Sequence, residues 1–187
     1  VESRGQPIVY DGDPASQVVL RDVTERARRE QRLERLHDAA RELLAAADHK
    51  AAADIAVETL RDVLGKDAVA FWHDDDGELK ILSATDAARE RAFAGGPTDE
   101  IQTLPAWSVE SETFRENRPR VVTDYADRDD GITDAFATTY LVPVDDHGLL
   151  AVGSTDAYTV PPAEQEIAGV LVQTVVAAFD RLDRDRH

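Results

Sequence analysis

The sequence predicts an α+β domain: a central antiparallel sheet with N- and C-terminal helices packed on one face. Three observations carry this reading. The order of periodic segments is two helices, a hairpin, a short helix, a strand, a second hairpin and a long closing helix. Asp74-Asp75-Asp76-Gly77 and Asp145-Asp146-His147-Gly148 are two turn clusters of the same Asp-to-Gly chemistry, each between apolar runs, so the strands they join are antiparallel. The helices at both ends of this order each carry an apolar stripe, and a striped helix needs a surface to cover.

Residues 1–22 read as two short strands, Pro7-Ile8-Val9-Tyr10 and Gln17 to Leu20, around the turn cluster Asp11-Gly12-Asp13-Pro14. A lone hairpin is marginal in water, so this one is expected to pack on something or be loosely held. A helix is expected over 24–47. Its Leu33, Leu36, Ala40, Leu43 and Ala47 are spaced three, four, three, four, a heptad seam fit for a parallel homodimer. Ala39 and Leu44 widen the apolar face, so the same helix also fits a place on its own domain's sheet. Asp48-His49 breaks the pattern. A second helix over 50–64 buries Ile55, Ala56, Leu60, Val63 and Leu64 and stops at Gly65.

Strands are expected over 67–73 and 78–84, then a mixed segment over 85–106 containing Gly95-Gly96-Pro97. A short helix over 108–117 has Ser108 and Ser111 as capping oxygens and ends at Arg118-Pro119. Val121-Val122-Thr123 is a strand, 125–136 an acidic loop, and 137–144 with 149–155 the second hairpin. Pro161-Pro162 opens the last helix, 163–184, whose Ile167, Val170, Leu171, Val175, Ala178, Phe179 and Leu182 form one broad stripe.

Composition narrows the function. The 187 residues include no Cys, which removes disulfides, thiolate metal sites, thiol catalysis and a Cys-linked chromophore. Asp and Glu number 38 against 21 Lys and Arg, a formal charge of −17 that repels nucleic-acid phosphate. The acid is spread along the chain and the only lysines are Lys50, Lys66 and Lys80, a composition suited to a salt-rich cytoplasm where screening suppresses self-repulsion. No apolar stretch spans a bilayer and no signal peptide opens the chain, so a cytoplasmic location is expected. Val1 stands where an initiator Met would, and Met is absent, so the chain reads as part of a longer protein.

Two segments resemble a known family. Ser111 to Asp124, with Asn117-Arg118-Pro119-Arg120-Val121-Val122-Thr123-Asp124 at its end, is similar to the "helix, Gly or Asn, x, Pro, Val-Val-x-Asp" segment of GAF domains. Thr139-Tyr140-Leu141-Val142-Pro143-Val144 followed by Gly148-Leu149-Leu150-Ala151-Val152-Gly153-Ser154 resembles that family's hairpin. The resemblance covers about residues 31–184. Upstream, Asp22-Val23-Thr24-Glu25-Arg26 resembles the signature that ends PAS sensor domains and enters a signalling helix. The resemblance divides the chain into 1–23, the end of a PAS domain; 24–47, a signalling helix; and 48–187, a GAF-like sensory domain. A PAS end joined to a GAF domain resembles the sensory part of haloarchaeal histidine kinases and bacterioopsin-activator-like transcription regulators. That implies a two-component or transcriptional signalling protein, with fused PAS and output domains.

No catalytic constellation stands out, and the chain is expected not to be an enzyme. The GAF-like reductases of free methionine sulfoxide need cysteines, and phytochrome-type GAF domains hold a bilin, usually through Cys. Asp99-Glu100 after Phe93 lacks the Asn-Lys that precedes it in cyclic-nucleotide-binding GAF domains. His37-Asp38 lacks the continuation of a phosphoacceptor histidine and reads as a solvated helix position. His73 with Asp74, Asp75 and Asp76 reads as a turn on an acidic surface, and no metal site is expected. His49, His147 and His187 fall in a helix junction, a turn and a terminus. The cofactor is left open.

Two function classes remain. In one, the sheet and residues 85–136 enclose a pocket for a small ligand, on the face opposite the terminal helices, with Phe71, Phe93, Trp107, Phe114, Tyr125 and Tyr140 as its candidate walls. In the other, the domain binds nothing, dimerises through Leu33, Leu36, Ala40 and Leu43, and relays the PAS signal. Alternation puts Val69, Phe71 and His73 on one face of the first core strand and Ala68, Ala70 and Trp72 on the other, without saying which face meets the helices.

Overall fold

A computed structural model describes residues 2–10, 13–21, 24–93 and 103–185. The chain divides into two compact units, Val1–Arg35 and Leu36–His187. In the first, β1 (Glu2–Tyr10) and β2 (Asp13–Arg21) pair antiparallel from Glu2↔Arg21 to Tyr10↔Asp13. They are longer than the sequence suggests. The first half of α1 (Thr24–Leu44) follows, its residues 24–31 all exposed. Asp22 and Val23 of the PAS-like signature lie outside the described residues, as do Gly95-Gly96-Pro97, Asp99-Glu100 and His187.

The second unit begins within α1, where Ala39 and Leu43 are wholly buried. In α2 (His49–Leu64) the Asp48 side chain accepts from the Ala51 N–H at 2.8 Å, satisfying one of the donors that a helix start leaves open. Gly65 ends α2 at φ +63°, a left-handed conformation that costs glycine nothing. β3 (Ala68–Asp75) turns through Asp76 and Gly77, both at positive φ, into β4 (Glu78–Ala84). This is the geometry the Asp-Gly pair favours. The mixed segment contains a helix not anticipated from sequence, α3 (Asp86–Phe93). α4 (Val109–Glu116) is capped by Ser108, whose side chain accepts from the Ser111 N–H, and closes on left-handed Asn117. β5 (Arg120–Thr123), a single 3₁₀ turn at Tyr125–Asp127, β6 (Thr138–Pro143), β7 (Gly148–Ser154) and α5 (Pro162–Asp185) complete the unit.

The five core strands form one antiparallel sheet in the order β4-β3-β7-β6-β5. Alternation along each strand separates two apolar clusters. Val69, Phe71, Tyr140, Val142, Leu150 and Val152 meet α2 and α5. Ala68, Trp72, Val122, Leu141 and Leu149 point the other way, toward Leu79, Ala88, Leu104, Val109, Tyr125 and Phe136. α2 packs on α5 and on β3 and β4, while α3 packs on β3 and α4 on β6 and β7. α5 is held by the burial of Ala168, Leu171, Val175, Ala178, Phe179 and Leu182, the larger of which contribute about 1.5–3 kcal/mol each. Its end is tied by Arg181, which donates to the Ala46 carbonyl at 2.7 Å.

Candidate functional site

The face opposite α2 and α5 holds a cavity of about 40 Å³. Its floor follows from strand register. Ala68 pairs with Gly153, which pairs with Thr139; one step along, Ala70 pairs with Ala151. These rows of small residues leave a trough in the middle of the sheet. Trp72 bounds it, Ala88 and Ala92 of α3 cover one side, and Glu110, Tyr125, Ile132, Thr133 and Phe136 cover the rest. Phe136 presses on the floor itself: a Cβ at Gly153 would stand 2.8 Å from its ring carbons. Backbone bonds pin this cover to the sheet, with Ala137 N–H donating to Ser154 at 2.8 Å, Tyr125 N–H to Ala137 at 3.0 Å and Val109 N–H to Asp130 at 2.9 Å.

Two polar atoms in this apolar space lack partners among the described residues. One is Glu110 Oε2, on a side chain only 1% exposed; the other is Thr139 Oγ1. The remaining Glu110 oxygen accepts a hydrogen bond from the Tyr125 hydroxyl, which in turn accepts from the Ile132 N–H at 2.9 Å. Burial pushes the Glu110 carboxyl above its ordinary range, against the opposing pull of the Tyr125 hydrogen bond, and burial beside Glu110 raises the Tyr125 phenol as well. An unpaired buried polar atom is costly, so two facing one cavity mark it as a site with unmet hydrogen-bonding capacity.

The six residues expected as walls are dispersed. Tyr125 lines the cavity, and Phe114 is half-buried against the same apolar cluster. Phe71 and Tyr140 are corrected to the helix-covered face, because strand alternation puts them on the side of α5. Trp107 is corrected to the surface, 63% exposed in the turn before α4. The Phe93 side chain lies outside the described residues. Of the seam expected on α1, Leu43 is wholly buried in the chain's own core, while Leu36 and Ala40 are half-buried, Leu36 packing against that core. Leu33 at 55% and Leu44 at 63% remain exposed on α1, as does Val170 on α5.

Sequence reasoning missed Glu110, Thr139, Trp72 and Phe136 as site residues. A signal existed for Glu110: it sits among Ser108, Val109, Ser111 and Thr113, small or uncharged residues that are all buried. The reading also missed that three histidines from separate elements converge on Phe179 of α5. The rings of His49, His147 and His73 stand 4.7, 5.3 and 5.8 Å from that ring. His147 Nε2 lies 2.8 Å from Asp180, His49 Nε2 lies 3.0 Å from Asp183, and His73 Nδ1 meets the His147 carbonyl at 2.9 Å. Among the described residues, no group of three or more His, Cys, Asp or Glu is arranged to hold a metal ion, and no helix is long and apolar enough to cross a membrane.

No protein-family profile matches the sequence, and no curated protein matches it. Solved structures do. A GAF domain from a phosphoenolpyruvate-protein phosphotransferase of Coxiella burnetii superposes with a TM-score of 0.67 at 14% identity, over 82% of this chain and 95% of that one. The free methionine-R-sulfoxide reductase of Neisseria meningitidis, solved with its substrate, gives 0.66 at 17%, over 82% and 91%. The chromophore-binding domain of a bacteriophytochrome from R. palustris gives 0.65 at 14%, over 99% of this chain and 71% of that one. Identities this low speak to architecture. The five-stranded antiparallel sheet, with α2 and α5 on one face and α3 and α4 on the other, is a GAF-like α+β fold.

Proposed function

We propose that this chain is a sensory module of a signal-transduction protein, one that takes a small ligand in the cavity between the sheet and α3–α4 and conveys occupancy to α5, without turnover. The observation that carries the reading is the pair of partnerless buried atoms, Glu110 Oε2 and Thr139 Oγ1, facing one cavity. The coupling has a short physical route. Trp72 bounds the cavity, and its neighbour Phe71, on the other face of the same strand, stacks on Phe179 of α5 at 5.3 Å. A ligand signals only by preferring one arrangement over another, so one that shifts Trp72 would bias the Phe71–Phe179 contact. In the full protein, α1 would connect this module to a preceding PAS domain and α5 to an output domain in the cytoplasm.

One observation favours a second reading, ligand-free relay. Pockets for small molecules usually measure several hundred Å³, and this cavity measures about 40 Å³. In that reading the exposed apolar residues Leu44 and Val170 meet a second copy of the chain, and the domain passes on a signal received elsewhere. Ala70→Val separates the two. It adds side-chain volume to the cavity without touching α5. Under the sensory reading, hydrogen exchange of the α5 amides around Phe179 changes in the variant. Exchange identical to wild type along all of α5 would leave relay as the function.

A further inference from the structure

Resting on the ligand reading above, we propose that the cavity recognises a small protonated amine, with Glu110 Oε2 and Thr139 Oγ1 accepting its N–H groups and its carbon body against Trp72, Tyr125 and Phe136. The geometry narrows the chemistry step by step. Glu110 is buried; the Tyr125 hydroxyl, the Ser108 side chain and its own backbone N–H lie near the carboxyl and favour its ionised form, yet Oε2 itself makes no well-formed hydrogen bond among the described residues. With the carboxyl ionised, the cavity therefore offers an acceptor in search of a donor. An ionised carboxylate in such a place has no ion-pair partner in contact, Arg128 acting on it only from a distance, and a bound cation supplies both donor and charge.

A bare metal ion does not fit. Hard cations take six or more oxygen ligands, or retain water in their place, and this cavity offers two polar side chains among alanines and aromatics. An anion would meet Glu110 head-on. A quaternary ammonium would leave both acceptors unsatisfied, because it carries no N–H. An ammonium with an alkyl group matches the remaining features: N–H donors for Glu110 and Thr139, and a positive charge beside aromatic rings, which attract cations through their faces. Size sets the scale. At about 10–15 Å³ for one water, the 40 Å³ cavity takes a body of a few heavy atoms, which makes methylammonium the natural probe.

The chain contains two tryptophans, so Trp107→Phe leaves the buried Trp72 as sole reporter at the cavity. Methylammonium chloride titrated into this variant should change Trp72 emission saturably, beyond the effect of KCl at equal ionic strength. Tetramethylammonium should give no such excess. Glu110→Gln should abolish it, and Thr139→Val should weaken apparent affinity about threefold to tenfold, the loss of one hydrogen bond. Far-UV circular dichroism and thermal melting establish that each variant is folded. Thr139→Val, which keeps the buried carboxyl, tests the site independently should Glu110→Gln fold poorly. No excess over KCl, or an excess that survives Glu110→Gln, overturns the proposal. A saturable response to neutral acetamide, with none to methylammonium, overturns the ammonium class while leaving a ligand site. Silence toward every probe, joined to unchanged α5 exchange in Ala70→Val, takes down the ligand reading itself.

Discussion

The two faces of one sheet are built to different standards. Toward α2 and α5 the strands present Val69, Phe71, Tyr140, Val142, Leu150 and Val152, which interlock with the helices in one apolar cluster. Toward α3 and α4 the middle of the same strands presents Ala68, Ala70, Thr139, Ala151 and Gly153, over a cavity. A strand cannot choose its faces independently of its alternation, so a single stretch such as residues 68–72 encodes both. The difference teaches where stability and responsiveness reside. The large face closes its apolar packing, though Thr59 Oγ1 on α2 and Arg181 Nε on α5 also lack partners among the described residues; the small face leaves volume beside its two unsatisfied atoms.

The sharpest way to break that comparison is to cut each face in turn. Phe179→Ala removes the ring around which Phe71 and three histidines gather, and should cost about 3–5 kcal/mol in urea unfolding. Ala70→Val on the other face adds methyl groups where room exists, and its cost should stay below about 1 kcal/mol or turn into a gain. Equal losses from the two variants would mean that the faces are packed alike.

Glu110→Gln probes the unsatisfied side. The folded-state pKa of Glu110 is raised, chiefly by burial, against the downward pull of hydrogen bonds from the Tyr125 hydroxyl, its own backbone N–H and the Ser108 side chain, with the Asp130 charge adding a smaller upward push. An acid whose folded pKa is raised holds its proton more tightly when folded. Its ionisation therefore removes stability as pH rises from the unfolded value through the folded one. Below the ordinary carboxyl range, wild type and variant should be nearly equal. Above the raised value, Glu110→Gln should be more stable by on the order of 1–3 kcal/mol, the scale of an unsatisfied buried group. A stability difference independent of pH would show that Glu110 carries no uncompensated charge.

How much of this was legible in the sequence follows the range of the forces involved. Local devices could be read directly: the Ser108 cap, the Gly65 stop, the Asp76-Gly77 turn and the long stripe of α5 depend on residues within a turn of each other. α3 was missed because its apolar residues are mostly alanines, which make a weak stripe. The two sets of alternating side chains were visible, but which set meets the helices depends on the whole assembly, so Phe71 and Tyr140 were assigned to the wrong face. Glu110 was passed over because a carboxylate is placed on the surface by default. Its burial depends on Tyr125 in a later loop. The α1 seam is ambiguous for a related reason: a heptad pattern and a broad amphipathic face share positions, and Leu43 serves the domain's own core.

Leu44→Asp and Val170→Asp address the outer surface of the helix-covered side. Both residues are exposed, so each substitution should leave the stability of a single chain within about 0.5 kcal/mol. If these residues meet a second copy, each substitution should lower the mass seen by light scattering at high protein concentration. A mass unchanged by both would remove them from any interface.

The smallest expected effect is a difference between two salt responses. With 38 acidic residues against 21 basic, the surface repels itself, and shortening the Debye length from about 10 Å at 0.1 M to about 3 Å at 1 M KCl should raise the melting temperature by several degrees. Glu110 stands apart from that surface. It is 1% exposed, so counter-ions reach it poorly, and its penalty comes from lost hydration, which screening does not restore. Wild type and Glu110→Gln should therefore gain nearly the same amount from salt, with their stabilities running parallel to within about 0.5 kcal/mol across the range. A gap that closes as KCl rises would place Glu110 among the screened surface charges, and the contrast between a filled face and an unsatisfied one would lose its electrostatic half.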